Sequence, residues 1–180
     1  MRSALILLSL LPTLCLAHNL KQFEQPPSVS IADKGELILH DQTFTYQNWS
    51  SSQLTGKVRL IQHIAGRSSA KALNAPLIAA IKAAKFNHHS YQSTTIVNLG
   101  DALFGTGAFV LSSVKQSKEQ FPWSSFVLDS DGRVRQAWGL QEESSAIMLL
   151  DKSGKVLFCQ EGALTSDEVS QLLSSIQAKL

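Results

Sequence analysis

The chain has 180 residues, with 16 Lys or Arg against 14 Asp or Glu, so its formal net charge is only +2. That near balance, with no basic stripe and no acidic block, gives no footing for nucleic acid or an anionic membrane surface. Beyond the N-terminus no stretch is apolar for long enough to cross a bilayer, so no membrane span is expected.

Residues 1–17 read as a secretory signal peptide. Arg2 supplies a minimal basic start, Ala4 to Leu11 is an apolar run, and Pro12 bends the chain. Cys15-Leu16-Ala17 places small residues for cleavage after Ala17. The rival is a lipoprotein signal acylated at Cys15, but Leu14 stands where such signals want a small residue. Cleavage removes Cys15 and leaves Cys159 alone. An exported chain with one thiol closes no internal disulfide. Cys159 falls within the strand-like Lys155–Cys159, which predicts a buried, inert thiol.

The mature chain has the length of one domain. Residues 18–34 read as an extended N-terminal segment with Pro26-Pro27, and 35–180 as the folded domain. Gly35–Tyr46 predicts a strand pair, turning at Asp41-Gln42. Asn48–Leu54 predicts a short helical turn capped by Ser50 or Ser51, and Val58–Ile64 the next strand. Ser68 or Ser69 is the expected N-cap of a helix whose apolar positions are Leu73, Leu77, Ile81 and Ala84. Pro76 falls inside that pattern and predicts a kink.

Thr94–Asn98 predicts a strand, Gly100–Gly107 a loop exposing Leu103 and Phe104, and Ala108–Gln120 a helix stopped by Pro122. Ser125–Leu128 predicts a strand. Asp129-Ser130-Asp131-Gly132 reads as a hairpin turn with Arg133–Trp138 as its partner strand. Ala146–Leu150 and Lys155–Cys159 predict a second hairpin around Asp151–Gly154. Thr165 or Ser166 caps a last helix with its stripe at Val169, Leu172, Leu173 and Ile176. This order implies an α/β sandwich, a mixed central sheet with helices on both faces.

The strand, polar turn and proline-bearing helix of residues 56–81 resemble the redox-site region of the thioredoxin superfamily. The likeness spans roughly residues 35–180, with an extra N-terminal strand pair of a periplasmic branch. A closer resemblance is to the YtfJ family of bacterial periplasmic proteins. It rests on Gln62–Lys71, Asn74–Ile78, Asn98 with Gly105-Thr106-Gly107, Phe121–Ser124 and Glu142–Ile147. It implies a thioredoxin-like fold in the periplasm and carries no assigned activity.

The superfamily resemblance, anchored on Pro76, puts Ser68 and Lys71 where redox members carry their two cysteines. A hydroxyl cannot cycle through a disulfide. Ala146 stands where such proteins place a cis-proline. Thiol–disulfide exchange at this turn is therefore not expected. What remains is a helix start flanked by Arg67 and Lys71 and carrying Ser68 and Ser69. With Glu142, Glu143 and Ser145 it forms a candidate face for a protein, peptide or small anion. The plainer reading has Ser68 capping the helix, with Arg67 and Lys71 solvated or paired with Glu142 and Glu143.

A nucleophile elbow at Ser68 with His63 or His40 as base is weakly drawn, because His63 should point off the strand, away from the turn. His88-His89 point to opposite sides and do not converge on a metal. Asp129–Gly132 lacks the later acids of a calcium loop. No cofactor or metal is expected. Trp49, Trp123, Trp138 and Phe104 are read mainly as packing aromatics, with Phe104 the one expected outside. The leading function is a non-redox binding or adaptor module using the former active-site face. The alternatives are an enzyme, through Cys159 as a redox helper or Ser68 as a hydrolase, and a structural or stress-related periplasmic protein.

Overall fold

The computed structural model describes residues 18–180. The expected signal peptide, residues 1–17 with Cys15, lies outside them. Seven strands form one sheet in the order β2-β1-β5-β4-β3-β6-β7. The elements in chain order are β1 (Ser30–His40), β2 (Thr43–Ser50), β3 (Val58–Ala65), α1 (Ser68–Leu73), α2 (Ala75–Ala84), β4 (Tyr91–Asn98), α3 (Gly107–Gln120), β5 (Ser125–Asp129), α4 (Arg133–Trp138), β6 (Ser145–Leu150), β7 (Val156–Glu161) and α5 (Ser166–Lys179). The expected mixed sheet is present: β3, β4 and β5 run parallel, and both ends are antiparallel.

Successive parallel strands step in one direction across the sheet. Right-handed crossovers then place α1–α2 and α3 on the same face. Residue parity agrees. Val58, Leu60 and Ile64 of β3 face that side, as do Tyr91 and Val97 of β4. Yet this face carries two separate apolar clusters. One gathers Leu77 and Ile81 of α2 with Leu172 and Ile176 of α5. The other gathers Val114 of α3 with Leu37, Phe126 and Leu128. The opposite face has one continuous core, in which Trp49 and Trp138 are buried among Ile61, Ile96 and Met148.

Residues 18–34 do not stand apart from this fold. Leu20 is buried in the opposite-face core, and the Phe23 N–H donates to Val156 O at 2.8 Å. The first strand accordingly begins at Ser30, earlier than the sequence suggested. The turn after β2 is a short 3-10 helix, Ser51–Leu54, capped by Ser50.

The largest correction concerns Arg133–Trp138, which is a helix and not a hairpin strand. The Asp129 carboxylate ends β5 and accepts from the Arg133 N–H at 3.0 Å and the Val134 N–H at 2.8 Å. Two orphan donors of the first helical turn are thereby satisfied. Gly132 enters with φ +66°, a conformation that suits glycine. Val134 and Trp138, one turn apart, both point into the core.

The helix expected to kink at Pro76 is instead broken in two at Asn74. Pro76 sits in the first turn of α2, where its missing N–H costs nothing. Asn74 is 1 % exposed and holds the break in place. Its amide donates to Ser145 Oγ (3.2 Å) and Gly162 O (2.8 Å) and accepts from the Leu164 N–H (3.1 Å). At the C-terminus, Thr165 and Glu168 form a capping box that starts α5.

Candidate functional site

The turn after β3 is closed on itself. Arg67 has extended backbone and occupies the N-cap position of α1 with no side-chain cap, so neither Ser68 nor Ser69 plays the capping role expected of it. The Arg67 guanidinium meets the Glu143 carboxylate through both nitrogens, each at 2.7 Å, and also donates to Asp101 O. Glu143 turns through φ +58°, and its N–H donates to Asp101 Oδ2 at 3.2 Å. Three loops are thus latched together by one bidentate ion pair and two hydrogen bonds to Asp101.

The other predicted residues separate around this latch. Glu142 pairs with Arg135 of α4 at 3.0 Å, away from the turn. Ser145 is buried beneath, accepting from Asn74. Ser68 and Ser69 are exposed. Lys71 reaches to α3, where its Nζ donates to Ser113 Oγ at 3.0 Å. Ala146, second in β6, lies opposite His63, and every described peptide bond is trans.

Lys71 marks what the sequence did not disclose, an apolar cleft of about 1040 Å³ between α1–α2 and α3. It lies between the two separate clusters on that face. Ile78 and Ile81 form one wall, and Val110 and Val114 the other. The floor is the sheet, where Gln62, Ser93 and Thr95 lie among Ile64, Val97 and Phe126. Gln62 and Thr95 are register partners, so their side chains stand together on the floor. Gln62 is buried, and its amide nitrogen has no partner.

One end of the cleft opens at Arg67, Ser68 and Lys71, beside exposed Leu103 and Phe109. The other end is edged by Lys82, Lys85, His88, Phe121 and Trp123. There Lys82 Nζ sits 4.4 Å from the Phe121 ring centroid, and the His88 and Trp123 rings stack at 4.5 Å. Trp123 is half exposed, unlike the buried Trp49 and Trp138. Phe104 is fully exposed, as expected.

Two groups lie off this cleft. His63 points to the opposite face, as period two required, and is 2 % exposed. Burial pushes its imidazole down to about 4, with Asp101 opposing and Arg135 reinforcing that shift. It is held neutral, turned away from Ser68. Cys159 is half-buried against the opposite-face core, and burial pushes its thiol up to about 12, with Glu161 adding to the effect. Among the described residues no cluster of His, Cys, Asp or Glu could hold a metal, and no helix is long and apolar enough to cross a membrane.

Comparison with known proteins places this geometry in a family. A structure from Corynebacterium glutamicum, described as a thiol-disulfide isomerase, superposes with a TM-score of 0.56. It covers 90 % of this chain and 99 % of its own at 15 % identity, a likeness of fold alone. An uncharacterised protein of Haemophilus influenzae is 44 % identical over 160 residues, 89 % of this chain and 87 % of its own. The uncharacterised protein YtfJ of Escherichia coli is 50 % identical over 171 residues, 95 % of this chain and 93 % of its own. The model of the family described as "Bacterial protein of unknown function (YtfJ_HI0045)" matches residues 20–179, and the chain belongs to that family, on a thioredoxin-like fold.

Proposed function

We propose that this protein is a non-redox binding module, exported to the periplasm by residues 1–17, which holds its ligand in the cleft between α2 and α3. The face first marked by Arg67, Ser68, Ser69, Lys71, Glu142, Glu143 and Ser145 then serves as the mouth of that cleft and its latch. The observation that carries the reading is the cleft itself. One sheet face is covered by two helical layers whose apolar clusters do not join, and the gap between them is large for a small-molecule site. A fold that needed this face only for stability would close it.

Chemistry supports binding over catalysis. Ser68 and Lys71 stand at the mouth without a thiol. Cys159 packs with the opposite face and is held as the thiol, while the thiolate is the nucleophile in exchange. Ser68 has no base beside it, since His63 points through the sheet.

The test titrates protein beginning at His18 with Nile red, a neutral apolar dye. Saturable binding is expected at one site. Ile78→Trp and Ser117→Trp, which fill the cleft from opposite walls, should each abolish it. Dye binding that survives both variants, or no binding at all, contradicts the reading. An insulin-reduction assay should show no activity above background; turnover lost in Cys159→Ser would restore the redox alternative.

A further inference from the structure

We infer that the ligand is a single-chain amphiphilic carboxylate, its acyl chain along the cleft and its carboxylate at the Lys71 end. The inference rests on the reading of the cleft as a binding site and adds the class of occupant.

Three observations carry it. The first is charge. Arg67, Lys71, Lys82 and Lys85 line the cleft, and no carboxylate appears among the described residues that line it. A mostly apolar lining whose Lys and Arg face no carboxylate selects an apolar body bearing negative charge. Arg67 is already neutralised by Glu143, which leaves Lys71 as the cation at the mouth. Its ammonium has three donors and spends one on Ser113.

The second is width. Two side-chain bridges span the cleft from helix to helix side. Lys71 reaches Ser113 at one end, and Lys82 lies over Phe121 at the other. An α-helix with its side chains is about 10–12 Å across, so a partner helix would have to break both bridges to enter. A single hydrocarbon chain needs far less width than a helix.

The third is the floor. Gln62 is 6 % exposed, its amide nitrogen is unpartnered, and among the described residues left with such an atom it is the one that lines the cleft floor. The Gln62 amide therefore keeps a donor free on the floor for an acceptor that the ligand brings.

The experiment displaces Nile red with dodecanoate and with dodecan-1-ol, both below the concentration at which they aggregate. Dodecanoate should bind about tenfold tighter than the alcohol, the size of one charge-assisted hydrogen bond. Lys71→Met should erase that preference by weakening dodecanoate, Gln62→Met should weaken dodecanoate several-fold, and Ile78→Trp should block both ligands. Equal affinity for acid and alcohol, with Nile red still bound, overturns the carboxylate assignment and leaves the cleft standing. Displacement by an acidic amphipathic peptide where dodecanoate fails also overturns it. Failure of Nile red and dodecanoate together removes both proposals.

Discussion

Gln62→Met should make the unliganded protein more stable, an unusual outcome for a buried substitution. Gln62 lies on β3 between Ile147 and Thr95, is almost fully buried, and leaves its amide nitrogen without a partner. A buried donor in that state costs about 1–3 kcal/mol. Met has nearly the same shape and no donor, and volume-conserving exchanges usually cost under about 1.5 kcal/mol. The balance favours the variant by about 1 kcal/mol. For a domain of this length, each kcal/mol moves Tm by about 2–4 °C. Thermal unfolding followed by circular dichroism should therefore rise by a few degrees, with the urea midpoint raised at unchanged slope. A fall in Tm would refute the reasoning, since it would mean that the amide is satisfied and the floor carries no unmet polar group. The same variant should bind dodecanoate more weakly, so stability and binding move in opposite directions.

Other expectations follow from groups away from the cleft. His63 binds its proton less readily when folded, because burial lowers it to about 4 from an ordinary 6.5. The unfolded chain therefore takes up more protons across that window. Stability from this group is full above pH 6.5 and falls toward pH 4, by on the order of 3 kcal/mol. Urea unfolding of His63→Leu at pH 7, 5 and 4 should show a shallower acid loss than the parent, and parallel curves would contradict this. Asp129→Ala should cost about 2 kcal/mol, because it strips the acceptor from the first turn of α4; a loss under about 0.5 kcal/mol would speak against that capping role. Cys159 in the native protein should react with iodoacetamide at pH 8 at least about a hundredfold slower than free cysteine, since so little thiolate is present. Fast native labelling would contradict its packing against the opposite-face core.

Much of the fold was legible because its signals are local. β6 is a near-continuous apolar run, β3 carries apolar residues at five of its eight positions, and Thr165 with Glu168 spells a capping box in four residues. Arg133–Trp138 was not, and the reason is arithmetic. Val134 and Trp138 are four apart, a spacing that serves both a period of two and a helical turn. Asp129–Gly132 then looks like a hairpin turn, and only the carboxylate's two backbone contacts show it to be a helix start. The break at Asn74 depended on Ser145, Gly162 and Leu164, about 70 to 90 residues away in sequence. The pairing of Arg67 with Glu143 could be anticipated from charge, whereas the partnership of Glu142 with Arg135 required α4 to be recognised. The cleft itself leaves almost no trace in sequence. Ile81 reads as part of an ordinary helix stripe, Ile78, Val110 and Val114 are plain apolar positions of their helices, and only their separation across Ser93 and Thr95 distinguishes a lined cavity from a closed core. Two polar residues on the inward face of β4, next to Gln62 on β3, were the one signal available.

Amide chemical-shift mapping by NMR tests the central claim most directly. Nile red or dodecanoate added to labelled protein beginning at His18 should shift residues on the cleft side, among them Gln62, Thr95, Ile81 and Ser117, and leave Trp138 and Leu140 on the opposite face unmoved. Shifts centred on the opposite face, or no saturable shifts at all, would contradict the account.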